Sequence, residues 1–463
     1  MTAAFAPSLA GPRRARAFAV CGGVLLCSTL LGACRSGDGS DGRAPAAASP
    51  APTATALPAA TPTATAVASS DEVQRLKALG YVDVAEEPAD GRSGVVKRDP
   101  AHSYPGYNLF TNAFTCSTEI IAGDGRLVHR WSREPCFRWD NTTLLPDGDL
   151  LVVGRDGKAD PGRAKPGSRW RQGQYLARLA WDGRLRWERR INAHHDAELA
   201  PNGLISVLTG EDRRIPEVDP DDDVSTDKLT LLSPDGDVVE EASLYEMLRA
   251  APGFVVQPRP KKGEDNSDLL HTNAIDWMRS PELAAKSPLY AAGNVLVCMR
   301  HQDAIAMIDW KARKVVWHWG QGELSGPHDA QVLPNGHILL FDNGIARKWS
   351  RVIELDPIAE RIVWEWKADD PKSFFTLARG SNQRLPNGNT LIAESDAGRA
   401  LEVDAAGEVV WEFLNPTLHE GKRVAIVRMR RLESPLVDRL LAGGGAPPAE
   451  SGSTTRTGSE AAR

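Results

Sequence analysis

The stretch GPHDAQVLPNGHILLFDNG, residues 326–344, decides the fold. It holds a His-Asp pair, a strand-like run, a Pro-Asn-Gly turn and a second apolar run. Asn-Gly and Asp-Gly between apolar runs mark hairpins, because both residues tolerate positive φ. The pattern recurs as WDNTTLLPDGDLLVV at 139–153, HHDAELAPNGLISVL at 194–208 and GSNQRLPNGNTLIAE at 380–394. Pro146 and Pro201 lie 55 residues apart and Pro334 and Pro386 lie 52 apart. The 133 residues from Pro201 to Pro334 span two such periods, so a further copy belongs near residue 271, where LLHTNAIDW precedes NVLVCMRHQDAIAMIDW.

Between these copies run turns that lead into aromatic strands, ending at Trp131, Trp187, Trp317, Trp364 and Trp411. Each period therefore supplies about four short strands, the signature of a β-propeller. Five units start near 140, 195, 271, 328 and 380. A sixth is expected to be shared between strands of 106–132 and a C-terminal strand at 423–432, which removes free sheet edges. The expected fold is all-β: a six-bladed β-propeller of four-stranded antiparallel blades over residues 105–432.

The flanks differ. Arg13, Arg14 and Arg16 precede an apolar run over 17–31, a charged n-region followed by an h-region. The run ends in Leu31-Gly32-Ala33-Cys34, which resembles the lipobox of bacterial lipoproteins. Residues 1–33 are thus expected to be a signal peptide, with Cys34 lipidated and the body exported to the periplasm or cell surface. Residues 34–70 are Ala, Pro, Thr, Ser and Gly, and bury too little apolar surface to offset ordering entropy, so a disordered tether is expected. Residues 71–104 read as a short helix over 71–84 and a charged lead-in, and 433–463 as a tail frayed after a short helix.

A net charge of −6 offers no electrostatic footprint for nucleic acid. With Cys21 and Cys27 in the signal and Cys34 in the anchor, Cys116, Cys136 and Cys298 remain. In an oxidising compartment Cys116–Cys136 is a plausible disulfide, and Cys298 is the odd thiol. No cysteine spacing suggests zinc, and neither metal nor cofactor is called for.

Six positions upstream of the turn prolines stand Asp140, His195, His328 and Gly380, with His271 in the same context in the turn-less unit. Equivalent positions in a propeller share radius and height. If they begin innermost strands, Asp140 and three of the chain's ten histidines face one end of a central channel. His129, His318 and His337 sit beside aromatic or apolar neighbours and read as structural. His194 has the wrong parity.

The units HHDAELAPNG, LLHTNAIDW, VCMRHQDAIAMID, GPHDAQVLPNGHILLFDNG and SNQRLPNGNTLIAESDAGRALEVDAAGEVVWEF resemble the bacterial arylsulfotransferase family. The resemblance implies a six-bladed propeller and PAPS-independent sulfuryl transfer from a phenol ester to a phenol through a sulfated histidine. Carried over by motif, His328 is the nucleophile, and His271, Arg300 and His195 complete the site. These residue types suit the chemistry. A sulfuryl group in flight spreads negative charge over three oxygens, and Arg300 offers a permanent planar fork for an oxyanion. A neutral imidazole is nucleophilic near physiological pH, and a covalent intermediate divides one hard step into two. Asp329, a candidate to orient the His328 ring, is equally readable as an inert strand-edge carboxylate, and Asn343 reads as a turn residue before a site residue. The rival expectation is a catalytically inert, lipid-tethered propeller that binds a protein or glycan in the same channel.

Overall fold

In the computed structural model the four Pro-Asx-Gly turns close alike. The amide of Gly148, Gly203, Gly336 or Gly388 donates to the carbonyl three residues back at 2.8–3.0 Å. The side chains of Asp147, Asn202, Asn335 and Asn387 each accept from the amide two residues on. All four glycines have φ between +80° and +97°, the left-handed region that such a turn requires. The structure describes residues 83–443 except 114, 135, 157–172, 222 and 259–267. They all belong to one unit, Pro62–Arg463, and the second unit, Met1–Thr61, lies outside the described residues.

Among the described residues the strands form six antiparallel sheets of four or five strands, and one of three. Sheet I joins the C-terminal strand Ile426–Leu432 to Tyr107–Asn112, followed by Ser117–Ala122 and Leu127–Ser132. Sheet II begins with Arg138–Leu144, sheet III with Ala193–Leu199, sheet IV with Thr272–Trp277, sheet V with His328–Val332 and sheet VI with Ser381–Arg384. The expected starts near 140, 195, 271, 328 and 380 thus match the first strands. The shared sheet appears too, with Met429 opposite Phe110 and Leu432 opposite Tyr107.

The first strands of successive sheets are cross-linked by side chains near their starts. Asn141 Nδ2 donates to Asp196 Oδ1 (2.8 Å), and Ile275 N to Asp196 Oδ2 (3.0 Å). Asp329 N donates to Asn273 Oδ1 (3.4 Å), Asn382 N to Asp329 Oδ2 (2.7 Å) and Met429 N to Ser381 Oγ (3.1 Å). Thr111 and Thr142 hydroxyls meet at 2.7 Å and join sheet I to sheet II. Between these strands lies a cavity of about 250 Å³, lined by Asp196, Glu198, Asp276, Asp329, Arg428 and Arg430 among others.

At the rim, tryptophans pin neighbouring sheets. The indole N–H donates from Trp131 to the Ala180 carbonyl, from Trp187 to Pro234, from Trp366 to Gly407 and from Trp411 to Gly123. For Trp131 and Trp411 this gives a buried apolar ring its polar partner, and full burial of an aromatic is worth about 3 kcal/mol of transfer free energy. Trp131 and Trp411 are each 1% exposed.

The flanks are built more deeply into the fold than the sequence suggests. Gly94–Arg98 adds a fifth strand to sheet VI against Val409–Leu414, and Val84–Pro88 pairs with Lys422–Val424. The single strand expected at 423–432 is therefore two: Lys422–Val424 belongs to the three-stranded sheet and Ile426–Leu432 to sheet I. The helix expected over 71–84 falls outside the described residues except at its end, where Val84 opens a strand. The helix Ser434–Leu441 buries Val437 and Leu440 and is tied down by Tyr107 Oη donating to Asp438 at 2.6 Å. The expected signal peptide over 1–33, Cys34, the expected tether and residues 444–463 lie outside the described residues. Cys116 and Cys136 are disulfide-bonded, and Cys298 is a buried free thiol whose pKa burial pushes up, leaving it unreactive.

Candidate active site

His328 opens the first strand of sheet V after a constrained turn. Gly326 has φ +70°, a Cβ there would collide with Ile345, and its amide donates to Asp303 at 2.6 Å. Asp329, the residue after His328, takes φ +55°, so the side chains of His328 and Asp329 part. Asp329 turns into the cavity, where Arg430 holds it at 2.5 Å and Arg428 at 3.3 Å, and it plays no part in orienting His328.

That task belongs to Asn343. Its Nδ2 donates to the carbonyls of Thr376 (2.9 Å) and Arg379 (2.8 Å), which fixes the amide so that Oδ1 faces His328 Nδ1 at 2.7 Å. The Gly326 carbonyl is a second acceptor for Nδ1 at 3.0 Å. Nδ1 therefore carries the proton, and the lone pair sits on Nε2. Among the described residues, the backbone N–H of Arg379 points at that lone pair, at 3.3 Å. Burial, and then the charge of Arg300, lower the pKa of His328 to about 3. The ring is neutral at pH 7, as a nucleophile must be.

His195 and His271 meet directly, Nε2 to Nε2 at 3.1 Å. The carboxylate of Asp268 accepts from His271 Nδ1 at 2.5 Å, so His271 Nε2 holds the lone pair and His195 Nε2–H donates to it. His195 Nδ1 in turn faces His194 Nδ1 at 2.9 Å. His194 Nε2 lies 3.2 Å from buried Asp227, so the wrong-parity histidine backs the pair. Burial, the foremost cause, holds the pKa of His195 well below its ordinary value. His195 itself takes φ +57° and His271 φ +50°, which lifts both rings out of regular strand geometry.

Arg300 lies just beyond the strand Asn294–Met299 and is 9% exposed. It donates through Nη1 to His301 Nε2 at 2.7 Å and through Nη2 to the Leu377 carbonyl at 3.3 Å. His301 Nδ1 donates to the Asp268 carbonyl at 2.9 Å, and its ring lies 4.3 Å from that of His271. Arg300 and His301 open onto a cavity of about 670 Å³ lined also by Gln257, Gln302, Ser325 and Ile345. Donor atoms of Asp268, His271 and His301 lie within 4.8 Å of one another, but the guanidinium against His301 sets a fixed positive charge there that opposes a metal ion.

Of the residues expected from sequence, the structure groups His195 with His271, and Arg300 with His328 through its charge. Asp140 stays apart, paired with Arg138 at 2.6 Å, and Gly380 contributes backbone only. His129 stacks on Trp181 at 3.9 Å, His337 pairs with Glu354 at 2.6 Å and His318 bonds the Pro252 carbonyl. Arg347 and Arg351 both bind Asp342. Sequence reasoning passed over Asp268 and His301. Both lie next to motif residues, Asp268 three before His271 and His301 after Arg300, and that nearness was the available signal.

A family model described as Arylsulfotransferase (ASST) matches residues 185–416. The chain belongs to the arylsulfotransferase family. The matched span carries His195, His271, Arg300 and His328, and the family level supports an aryl sulfotransferase enzyme acting on small aryl substrates. No curated relative matches the sequence. Among solved structures, a protein of unknown function from Bacteroides caccae is similar at 15% identity, over 70% of this chain and 100% of its own, with a TM-score of 0.44. A virginiamycin B lyase from Staphylococcus aureus is 14% identical over 73% of this arylsulfotransferase and 88% of its own chain, with a TM-score of 0.37. The Myceliophteria thermophila Cps50 (Swd1) β-propeller domain is 11% identical, covering 73% and 100%, also with a TM-score of 0.37.

Proposed function

We propose that this arylsulfotransferase moves a sulfuryl group from an aryl sulfate ester to a phenol through a sulfated His328, with the six sheets as the blades of one propeller. The observation that carries the reading is the fixed tautomer of His328: Asn343 keeps the proton on Nδ1, and Nε2 is left as the nucleophile. In the first half-reaction the Nε2 lone pair forms an N–S bond, the S–O bond to the aryl group breaks, and the phenolate leaves with that electron pair and takes its proton from solvent. In the second half-reaction the oxygen of an acceptor phenol forms the new S–O bond, the N–S bond breaks, and His328 recovers its lone pair. The acceptor's proton passes to His271 Nε2, and the Asp268 carboxylate stabilises the resulting imidazolium. Displaced from His271 by the phenol, the N–H of His195 turns to the transferring oxygens. Arg300 supplies fixed positive charge to the sulfonate, and the cavity beside it receives the aromatic body. The ester is itself the donor, so the scheme needs no nucleotide sulfate such as PAPS.

The test mixes the protein with an aryl sulfate whose phenol is coloured and a phenol acceptor. One equivalent of phenolate in a burst, and a sulfuryl adduct on the His328 peptide, are expected. Full release by His328→Ala would refute the mechanism. We further propose that the chain is exported and lipid-tethered at Cys34. Membrane association lost in Cys34→Ala tests that, and retention would overturn it.

A further inference from the structure

The N-terminal segment ahead of the first strand reaches the site. Asp83 is 6% exposed, and its carbonyl accepts from Ala425 N at 3.0 Å, which anchors it between the sheets. Its carboxylate binds Arg379 Nη2 at 2.7 Å and lies 3.8 Å from Arg138 Nη1, whose own Nε holds Asp140 at 2.6 Å. Arg379 is the residue whose backbone N–H points at His328 Nε2. It holds that aim in a left-handed conformation (φ +64°), which a non-glycine residue keeps only when its surroundings enforce it. Asn343 Nδ2 on its carbonyl and Asp83 on its side chain both restrain it.

We propose that Asp83 is a positioning residue that holds the Arg379 backbone N–H as a donor to the reacting end of His328. The inference rests on the sulfohistidine reading for its catalytic part. In the resting state the N–H bonds the Nε2 lone pair. Once that pair has formed the N–S bond, the same N–H lies beside the sulfonyl oxygens and donates to them, as an oxyanion donor does. Aspartate suits the post because its short side chain reaches one guanidinium closely while Arg138 supports it from the neighbouring sheet. The residues that follow the proposed tether are thereby part of the catalytic apparatus.

The test uses the full chain with Asp83→Asn, Asp83→Glu and His328→Ala, and two readouts. The first is nitrogen NMR of histidine-labelled protein, in which the Nε2 resonance of His328 is the one missing from His328→Ala. In Asp83→Asn it should move downfield, because its hydrogen-bond donor has withdrawn, while Nδ1 stays in place. The second is the phenolate burst. Asp83→Asn should lower its rate about ten- to a hundredfold with little change in the donor KM, and Asp83→Glu should recover part of the loss. An unmoved Nε2 resonance in Asp83→Asn overturns the clamp, as does a rate loss that only follows a fallen melting temperature. A wild-type chain that gives no burst defeats the sulfotransfer reading instead, and the nitrogen shift still decides the clamp.

Discussion

Replacing Asn343 with alanine separates orientation of the nucleophile from its mere presence. Asn343 is 0% exposed and makes three hydrogen bonds, at 2.7 Å to His328 and at 2.9 and 2.8 Å to the carbonyls of Thr376 and Arg379. Three neutral bonds at about 1 kcal/mol each, with two buried carbonyls left short of a donor, give a stability loss of about 3–5 kcal/mol. The catalytic effect is bounded by what remains. The Gly326 carbonyl, 3.0 Å from Nδ1, still favours the same tautomer, so the imidazole keeps its lone pair on Nε2. What goes is the common anchor of the ring and of the 376–379 segment, and a shift of about 1 Å at a reacting atom costs on the order of a hundredfold. The burst rate of coloured phenolate should therefore fall about a hundredfold, and urea unfolding should report the stability loss in the same preparation. A folded Asn343→Ala protein with a burst rate within about threefold of wild type would falsify the orientation argument, since the error then expected is far below the cost of a misplaced nucleophile.

Three further outcomes follow from the same geometry. His328 is held neutral with a folded pKa of about 3 against an ordinary 6.5, so as pH falls through that window the unfolded chain binds the proton first and stability drops. Between about pH 6 and 4 the wild type should lose roughly 1.4 kcal/mol per pH unit more than His328→Gln, read by urea midpoints; equal slopes would show that the histidine is not buried neutral. The Cys116–Cys136 bridge closes a separation of 20 residues, so the double serine variant should unfold about 3 kcal/mol more easily, and an unchanged midpoint would count against the bond. Gly380 has φ +104° and a Cβ there would meet the Phe341 ring at 2.7 Å, so Gly380→Ala should cost about 2–3 kcal/mol in denaturant unfolding; no loss would mean the segment adapts freely.

The repeated turn was legible because its chemistry is local: proline, then Asx, then a glycine whose φ must be positive. Its spacing located the sheets and the shared closing strand, and register on the turn proline singled out His195, His271 and His328. Residues acting across the chain were harder to read. Asn343 looks like any turn asparagine until the carbonyls of Thr376 and Arg379 stand opposite it, over thirty positions away in sequence. Asp83 and Arg379 sit 296 residues apart, and Asp83 falls at the end of a stretch whose pattern reads as a short helix. Asp329 shows the reverse, for its adjacency to His328 suggested a partner, yet one left-handed residue sends it to Arg430 instead.

The closing strand has a consequence for how the molecule comes to be made. Tyr107 pairs with Leu432, 325 residues later, so sheet I stays incomplete until almost all of the described chain is available. Pairings of such long separation form slowly, and the unpaired strands meanwhile offer open edges to other chains. A protein threaded across a membrane from its N-terminus would thus remain open-ended through most of its passage. Its final shape would be reached only after the C-terminal strand had emerged.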